Sequence, residues 1–397
     1  MKNVCLLGST GSIGVSTLDV IRLNKNAYRV VALTANKNIG RLLEQCIEFK
    51  PTYAVVPDAE LADAFRGKLE RSDACETQVL SGMDSLEFVA KHSMTDIVVA
   101  AIVGAVGLLS TLAGAKAGKT ILLANKESLV VSGDLLMSVV KQNGATLLPL
   151  DSEHNALFQC MPDAYKAGQR AEGVRKLILT ASGGPFLNLN ASELDNVTVE
   201  QACAHPNWSM GHKISVDSAT MMNKGLELIE ASYLFDMPAE LIDVLIHPQS
   251  IVHSMIDYVD GSVLAQLGNP DMRTPIAHAL AWPKRHESGV SALDFLVNNQ
   301  LTFESASYEK FPCLRLAYEA LDAKGTAPAI LNAANEVAVE AFLAKELAFT
   351  GISTLIEQVL SITTVSPADS IESVLSADAE ARQVAKNCLE RLMSIII

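Results

Sequence analysis

The sequence predicts an α/β protein built from an N-terminal doubly wound parallel sheet, a central α+β domain and a C-terminal α-helical bundle. Short apolar runs rich in β-branched residues alternate with amphipathic stretches over residues 1–150, which is typical of a parallel sheet covered on both faces. Mixed strand and helix patterns follow over 151–292. After a less patterned linker over 293–311, apolar residues recur at three- and four-residue intervals over 312–397, which predicts a helical domain.

Length, charge and cysteine usage restrict the class of protein. A chain of 397 residues exceeds the size of one compact core, so several domains are expected. The formal net charge of −14 argues against a nucleic-acid partner. No apolar run approaches the roughly 20 residues that cross a bilayer, so no membrane partner is expected. No targeting segment precedes the first apolar run, and the seven scattered cysteines form no C-x-x-C pair, so we expect reduced thiols and a cytoplasmic protein.

The first apolar run leads into a glycine-rich turn, "VCLLGSTGSIG", which contains Gly8, Gly11 and Gly14. Small residues between a first strand and a first helix let the backbone approach a pyrophosphate, whose charge is then stabilised by the helix N-terminus. The spacing differs from the usual G-x-G-x-x-G, so an ordinary glycine-rich turn is the alternative. The position of this turn at the start of a doubly wound sheet favours a Rossmann-like dinucleotide site over residues 1–150.

The end of the second predicted strand indicates which dinucleotide is bound. An NAD enzyme usually ends this strand with an acidic residue that binds the ribose 2′-hydroxyl. Here "RVVALT" is followed instead by Asn36, Lys37, Asn38 and Arg41. A 2′-phosphate fits these amides and cations, so the pattern favours NADP(H). The alternative is that Lys37 and Arg41 only begin a solvated helix face.

Two later strand ends carry charged residues. "TILLAN" is followed by Lys126, and "ATLLPL" by Asp151 and Glu153. Doubly wound sheets bind ligands at the carboxyl ends of their strands, so we expect Lys126 on the same rim as the two acids. Neighbouring carboxylates repel each other unless a positive charge lies between them, which favours a divalent cation. The alternatives are a helix cap at Ser152 with acids in the first turn, and an ordinary surface lysine.

A predicted helix in "DSATMMNKGLELIEASYLF" supplies a second group of polar residues. Asn223, Lys224 and Glu227 are three or four residues apart and so share one face. Together with Ser218, the amide and the ammonium resemble a cradle for an anion such as a phosphate. Glu227 would be a third carboxylate, and an oxygen-only set of three carboxylates suits Mg²⁺ or Mn²⁺. The alternative is a weak Lys–Glu pair on a solvated helix.

The polar segment over 182–213 predicts a flexible lid within a catalytic domain over 151–292. It contains a Ser-Gly-Gly-Pro turn and a long loop with one indole, Trp208, and one thioether, Met210. A loop of this composition is suited to closing over a ligand. The alternatives are that Trp208 is a packing residue and that His205 and His212 are ordinary loop histidines.

Long motifs in this order resemble the 1-deoxy-D-xylulose 5-phosphate reductoisomerase family. They are "GSTGSIG", "ANKES", "LDSEHNA", "SGGPF", "HPNWSMG", "KISVDSATMMNKGLE", "HPQSIVHS" and "NPDMRTPIAH". The resemblance covers essentially the whole chain. It implies an NADPH- and divalent-metal-dependent enzyme of the non-mevalonate isoprenoid pathway, which rearranges 1-deoxy-D-xylulose 5-phosphate to a branched aldehyde and reduces it to 2-C-methyl-D-erythritol 4-phosphate. It also implies a homodimer.

The resemblance assigns roles to individual residues. The residues implied to bind NADPH are Thr10, Gly11, Ser12, Ile13, Ala35, Lys37, Asn38, Asn125, Glu127 and Gly211. Those implied to bind Mg²⁺, Mn²⁺ or Co²⁺ are Asp151, Glu153 and Glu227. Those implied to bind the substrate are Lys126, Ser152, Glu153, Ser182, His205, Ser218, Asn223, Lys224 and Glu227. The implied catalytic residues are Lys126, Glu153 and His205, and the implied lid residues are Trp208 and Met210. One departure is Ala204, where some relatives are expected to carry a basic residue.

Two other functions fit part of the pattern. A plain NADP-dependent semialdehyde or hydroxy-acid dehydrogenase would explain residues 1–150 but gives the three carboxylates and the anion cradle no role. A non-catalytic NADP-sensing module would make Asp151, Glu153 and Glu227 structural. A requirement for a divalent metal distinguishes the reductoisomerase from the first, and turnover of a sugar phosphate distinguishes it from the second.

Overall fold

The computed structural model describes residues 1–163, 165–208 and 211–395, which fold into two compact units. The first unit comprises Met1–Ser128, Leu136–Asn155 and Asp271–Ala292. The second unit comprises Leu129–Leu135, Ala156–Pro270 and Leu293–Ile397. The four-part division at residues 150, 292 and 311 rests on sequence pattern and stays a prediction.

The described residues form twelve strands and fifteen α-helices. The strands are β1 (Lys2–Leu7), β2 (Tyr28–Thr34), β3 (Tyr53–Val55), β4 (Gln78–Leu80), β5 (Ile97–Ala100), β6 (Thr120–Leu123), β7 (Thr146–Pro149), β8 (Val174–Ala181), β9 (Ile242–Ile246), β10 (Val252–Tyr258), β11 (Val263–Leu267) and β12 (Glu304–Ser305). The helices are α1 (Ser12–Leu23), α2 (Ile39–Phe49), α3 (Ala59–Leu69), α4 (Asp84–Lys91), α5 (Leu108–Lys116), α6 (Lys126–Gln142), α7 (Ser152–Cys160), α8 (Val199–Ala202), α9 (His212–Ala219), α10 (Met222–Phe235), α11 (Arg273–Ala281), α12 (Pro312–Ala323), α13 (Ala327–Leu343), α14 (Phe349–Ile362) and α15 (Ile371–Ile395). None of the described helices is both long and apolar enough to cross a bilayer.

The first unit contains the predicted doubly wound sheet. Its seven strands lie in the order β4-β3-β2-β1-β5-β6-β7, and all neighbours are parallel. The central strand β1 is buried from Val4 to Leu7, which explains its continuous apolar run. Strand order reverses at β1, so the loops after β1 and β5 flank the crevice where such sheets bind ligands. The segment after Pro270 also belongs to this unit, and its helix α11 packs on α1.

The second unit contains a mixed sheet and the predicted C-terminal helices. The strand order is β11-β10-β8-β9-β12, in which β8 and β9 are parallel and the other neighbours are antiparallel. Helix α10 packs on α9 and α12, and α13 packs on α14 and α15. A Cβ atom on Gly225 would lie 2.5 Å from Cβ of Ala317, so glycine permits the close approach of α10 and α12. The α/β class with a helical C-terminal region is therefore confirmed.

Candidate active site

The glycine-rich turn after β1 has a steric reason for two of its glycines. Gly8 has φ +83° and donates its N–H to Thr34 Oγ1 at 2.8 Å. A Cβ atom on Gly8 would lie 2.6 Å from the carbonyl oxygen of Ala101, which follows β5. A Cβ atom on Gly14 would lie 2.4 Å from the carbonyl oxygen of Ser9. Larger residues would therefore push the turn away from both β5 and the start of α1.

The N-terminus of α1 is open to a ligand. Its N-cap is Gly11, and no side chain in the described part of the chain caps the first turn. Gly11 and Ser12 are exposed, while Thr10 and Ile13 are partly exposed. A helix N-terminus with uncapped N–H groups attracts an anion such as a pyrophosphate.

The segment after β2 lies beside this turn. Ala35 is buried, and Lys37 and Asn38 are exposed. Asn38 caps α2, since its side-chain oxygen accepts the N–H of Arg41 at 3.1 Å. The Arg41 guanidinium donates to the carbonyl oxygen of Thr10 at 3.3 Å, which brings a cation to the glycine-rich turn. This contact favours the nucleotide interpretation over a helix face that only meets solvent.

Asn125 joins the ends of β5 and β6. Its Nδ2 donates to the carbonyl oxygen of Gly104 at 2.9 Å, and its Oδ1 accepts the N–H of Ser128 at 3.3 Å as the cap of α6. The loop that it holds, after β5, exposes two apolar side chains, Val103 at 71% and Val106 at 57%. This loop is not among the predicted site residues. The available signal was an apolar stretch, "AIVGAVG", directly after a strand, where a solvated loop is usually polar.

Lys126 and Asp151 lie on one rim, as their positions at strand ends predict. Lys126 Nζ forms an ion pair with Asp151 Oδ2, and their side chains are only 7% and 17% exposed. The next residue, Ser152, donates its backbone N–H to Asp151 Oδ1 at 3.1 Å. Its hydroxyl donates to Glu153 Oε2 at 2.5 Å. The lysine is therefore not an ordinary surface residue, since it neutralises a carboxylate in a largely buried setting.

Helix α10 buries the second acidic group. Glu227 Oε1 accepts from Asn223 Nδ2 at 2.5 Å, and Glu227 Oε2 forms an ion pair with Lys224 Nζ. The side chains of Lys224 and Glu227 are 4% and 1% exposed. The interpretation as a pair on a solvated helix is therefore wrong. Burying an ion pair costs several kcal/mol per ion in desolvation, so this pair is weak evidence for a stabilising role.

The turn after β8 lies against the end of α9. Gly183 and Gly184 have φ +82° and +67°, a conformation that favours glycine. A Cβ atom on Gly184 would lie 2.8 Å from the carbonyl oxygen of Ser218. The turn that carries Ser182 is therefore in direct contact with the helix end that carries Ser218. Met221, with φ +63°, then redirects the chain into α10. Ser182 and Ser218, the two hydroxyl groups of the predicted substrate site, thus lie on elements that are in contact.

His205 is held by its own backbone neighbours and by the turn after β8. Its Nδ1 atom accepts the N–H groups of Asn207 at 3.2 Å and Trp208 at 3.0 Å. Its Nε2 atom lies 2.9 Å from Ser182 Oγ. Because Nδ1 accepts two donors, the hydrogen-bond network assigns the proton of the neutral ring to Nε2, which donates to Ser182. Ser182 Oγ also accepts the N–H of Gly184 at 3.2 Å, so its hydroxyl hydrogen can point to a ligand.

The predicted lid over 182–213 contains regular structure. A 3-10 helix spans Ala191–Asn196, α8 follows, and α9 begins at His212. Trp208 is partly exposed, and its ring centroid lies 6.5 Å from that of His253. Met210 lies outside the described residues, so its place in a lid stays a prediction, as does the flexibility of the segment.

The predicted site residues divide between the two units. Those of the first unit are Thr10, Gly11, Ser12, Ile13, Ala35, Lys37, Asn38, Asn125, Lys126, Glu127, Asp151, Ser152 and Glu153. Those of the second unit are Ser182, His205, Gly211, Ser218, Asn223, Lys224 and Glu227. Asn125 and Glu127 are buried, and Gly211 is the exposed N-cap of α9. Each unit thus contains a carboxylate paired with a lysine, and the first also contains the glycine-rich turn.

Three models of one protein family match the chain in order. The first is described as 1-deoxy-D-xylulose 5-phosphate reductoisomerase and matches residues 4–133. The second, described as the C-terminal domain of the same enzyme, matches residues 147–235. The third, described as DXP reductoisomerase C-terminal domain, matches residues 267–384.

Comparisons with whole proteins and with solved structures point to the same family. The chain is 60% identical over 392 residues to a 1-deoxy-D-xylulose 5-phosphate reductoisomerase from Methylococcus capsulatus, covering 99% of this chain and 100% of that one. It is 59% identical over 392 residues to the protein of that name from Nitrosococcus oceani, covering 98% and 100%. A crystal structure of DOX-P reductoisomerase in complex with NADPH, fosmidomycin and magnesium is 46% identical, with a TM-score of 0.92 and 99% coverage of both chains. The enzyme from Zymomonas mobilis in complex with NADPH is 47% identical, with a TM-score of 0.91 and 98% coverage of both chains.

Proposed function

The chain belongs to the 1-deoxy-D-xylulose 5-phosphate reductoisomerase family, and from that premise we propose how its residues carry out the family's reaction. The protein is an NADPH- and divalent-metal-dependent oxidoreductase that converts 1-deoxy-D-xylulose 5-phosphate to 2-C-methyl-D-erythritol 4-phosphate in the non-mevalonate isoprenoid pathway. The observation that carries this conclusion is the match of 60% identity over 392 residues. A plain dehydrogenase and an NADP-sensing module are thereby set aside.

The activity is tested by following NADPH absorbance with 1-deoxy-D-xylulose 5-phosphate as the substrate. We expect oxidation of NADPH that stops when a chelator removes the divalent ion and resumes when Mg²⁺ or Mn²⁺ is restored. Turnover that persists in the chelator would favour a dehydrogenase without a rearrangement. Binding of NADPH without any oxidation would favour a sensing module.

NADPH is assigned to the glycine-rich turn and its neighbours. The open N-terminus of α1 suits the pyrophosphate, and Lys37, with Arg41 beside Thr10, suits the 2′-phosphate. The exposed valines of the loop after β5 offer an apolar surface beside Gly8, because β5 is the neighbour of β1. An apolar surface at that point fits the nicotinamide ring.

The three carboxylates are assigned to one divalent ion. Asp151 and Glu153 are partly buried and Glu227 is buried, so all three offer oxygen atoms away from bulk water. Oxygen-only donors of this charge fit Mg²⁺, Mn²⁺ or Co²⁺. Bound NADPH supplies the hydride, and a bound divalent ion supplies Lewis acidity at the substrate oxygens.

Two of the three carboxylates are each paired with a lysine, and we expect each lysine to leave its carboxylate when the ligands bind. Lys126 pairs with Asp151, and Lys224 pairs with Glu227. An ammonium and a metal ion compete for the same carboxylate oxygen. When the carboxylates bind the ion, Lys126 becomes available to the oxyanion that develops on the substrate, and Lys224 becomes available to the phosphate.

The phosphate is assigned to the second unit. Ser182, Ser218, Asn223 and Lys224 supply two hydroxyls, an amide and an ammonium. A local cluster of this kind is needed because the net charge of −14 would otherwise repel an anionic substrate. The phosphate is remote from the reacting carbons, so its binding energy orients the substrate.

Glu153 and His205 are assigned to proton transfer and positioning at the substrate. Ser152 donates to Glu153, so this carboxylate is held in one orientation while it accepts or returns a proton of the substrate hydroxyl. His205 donates from Nε2 to Ser182, which directs the serine hydroxyl hydrogen toward the phosphate. Trp208 covers the ligand next to His205 and excludes water.

Lys37→Ala is expected to weaken NADPH binding on the order of tenfold while NADH binding changes little. The reason is the loss of a charge-assisted hydrogen bond to a phosphate that NADH lacks. Fluorescence titration with each dinucleotide measures the effect. Lys25→Ala, an exposed lysine just after α1, is the matched control and should change neither affinity. Equal losses for NADPH and NADH in Lys37→Ala would contradict the assignment of the 2′-phosphate.

The protein is proposed to work as a homodimer in the cytoplasm. Phe295, Leu296 and Val297 form an exposed apolar run in the second unit, at 62%, 89% and 75% exposure, which is typical of a surface that another subunit covers. All seven cysteines lie in the described residues, and none of them forms a disulfide there. Burial raises the pKa of Cys46 and Cys313 to about 12, so these thiols stay protonated and unreactive.

Leu296→Asp is expected to convert the dimer to monomer, because it places a charge in the apolar run. Light scattering after size exclusion should give about twice the chain mass of 42.4 kDa for the unmodified protein and the single mass for the variant. Ile362→Asp, at an exposed apolar position at the end of α14, is the control and should remain dimeric. A variant Leu296→Asp that stays dimeric would place the interface elsewhere.

A further inference from the structure

A closed ring of hydrogen bonds in the second unit links the proposed phosphate site to a buried histidine outside it. Ser182 accepts from His205, and His205 accepts the backbone N–H of Asn207. Asn207 Nδ2 donates to the carbonyl oxygen of Pro248 at 2.8 Å. The turn that contains Pro248 begins at His247, whose backbone N–H donates to the carbonyl oxygen of Ala181, the residue before Ser182, at 2.6 Å.

The anchor turn, residues 247–250, is fixed by the imidazole of His247. This side chain is fully buried, and its Nε2 atom accepts the N–H groups of Ile251 at 3.2 Å and Val252 at 3.1 Å. The proton of the neutral ring is therefore assigned to Nδ1, which donates to the carbonyl oxygen of Thr302 at 2.9 Å. The ring also stacks on Phe303, with centroids 4.7 Å apart. The turn is thus held from its inner side by three hydrogen bonds and a ring contact.

Asn207 is seated on this turn from the outer side. Its Nδ2 donates to the carbonyl oxygen of Pro248 at 2.8 Å and to Ser250 Oγ at 2.9 Å. The side-chain amide of Asn207 therefore has two acceptors in the anchor turn. Its backbone N–H and that of Trp208 both point at Nδ1 of His205. The orientation of the His205 ring therefore depends on where the anchor turn holds Asn207.

We infer that Asn207 is a positioning residue for the phosphate of the substrate, which acts through His205 and is itself held by the anchor turn. The inference rests on the proposed function, because it takes Ser182 as a phosphate ligand. With Asn207 seated, His205 keeps Nδ1 as an acceptor and Nε2 as a donor to Ser182. With the side-chain amide removed, the backbone at 207 and 208 loses its fixed position, and the His205 ring and the Ser182 hydroxyl lose theirs.

Asn207 has features that a packing residue would not have. It is exposed, so truncating its side chain removes no buried volume and should leave the melting temperature unchanged. Gln249 in the same turn is a matched control, since its side chain bonds to Thr302 through Nε2 at 2.8 Å and not to Asn207. Either truncation removes hydrogen bonds at the protein surface, but only the loss of the Asn207 side chain affects a residue that bonds to His205.

The test compares Asn207→Ala with Gln249→Ala in the NADPH-oxidation assay. Asn207→Ala is expected to raise KM for the sugar phosphate on the order of tenfold, as for the loss of about one net hydrogen bond, while the dissociation constant of NADPH and the melting temperature stay unchanged. Gln249→Ala is expected to stay within about twofold of the unmodified protein in KM. Equal KM values for the two variants would overturn the inference.

A double-mutant cycle with His205→Ala tests whether Asn207 acts through His205. Once His205 is absent, Asn207→Ala should raise KM no further, so that the two effects are not additive. Additive effects would overturn the inference while leaving the proposed function in place. An unmodified protein that fails to oxidise NADPH with the substrate would instead overturn the proposed function itself, and the inference with it.

Discussion

Replacing Glu227 with glutamine is expected to lower kcat about 10³-fold and to weaken Mn²⁺ binding while NADPH still binds. The amide keeps the shape of the side chain but removes one negative charge from the proposed ligand set. The stabilisation of charge on the substrate oxygens then falls by several kcal/mol. Turnover at saturating substrate and a Mn²⁺ titration followed by electron paramagnetic resonance measure the two effects.

Stability must be separated from chemistry in this variant. Glutamine leaves the buried ammonium of Lys224 with a neutral neighbour, and breaking a buried ion pair costs about 3–5 kcal/mol. The double variant Lys224→Met with Glu227→Gln removes both charges, so it should recover much of the melting temperature without recovering activity. Lys224→Met alone keeps all three carboxylates and should still bind Mn²⁺. Near-normal turnover of Glu227→Gln without added metal would show that Glu227 is not a ligand.

Lys126→Met is the second change with a large expected effect, a fall in kcat on the order of 10²- to 10³-fold, which is typical when one donor to a developing oxyanion is removed. The lysine is 7% exposed and paired with Asp151, so its ammonium is held where solvent screens it little. Methionine retains the length and apolar stem of the side chain. Steady-state kinetics give kcat and KM, and fluorescence titration gives the affinity for NADPH, which should be close to normal.

The control for Lys126→Met lies on the same helix. Lys141 is in the last turn of α6 and exposed, so Lys141→Met removes the same charge from the same element and should leave kcat unchanged. If the two variants had equal kcat, Lys126 would have no role in the chemistry. If Lys126→Met changed KM alone, the lysine would bind the substrate equally in the ground state and the transition state.

The first unit was the part of the fold that local pattern could predict. Strands such as β1 are buried on both faces, so their apolar runs are continuous and directly visible in the sequence. The strand ends then indicated which polar residues share a rim, and the ion pair between Lys126 and Asp151 agrees with that argument. The family motifs supplied the remaining residue roles, and those roles stay proposals.

The environment of α10 could not be predicted from its own pattern. The pair Lys224 and Glu227 has the spacing of a common surface pair, and its burial depends on the elements that pack around α10, which include α9 and α12. The contacts of the anchor turn could not be predicted for a similar reason, although its residues lie within the motif "HPQSIVHS". His247 meets Thr302, and Asn207 meets Ser250, across 55 and 43 residues, and no local periodicity encodes contacts at that separation.

Coordination of one divalent ion by the three carboxylates is tested most directly by the position of Mn²⁺ in crystals of the complex with NADPH, found by anomalous scattering at the manganese edge. We expect one strong peak, with oxygen atoms of Asp151, Glu153 and Glu227 all at about 2.0–2.3 Å from it. A peak whose ligands omit Glu227, or a manganese site formed by other residues, would contradict this expectation.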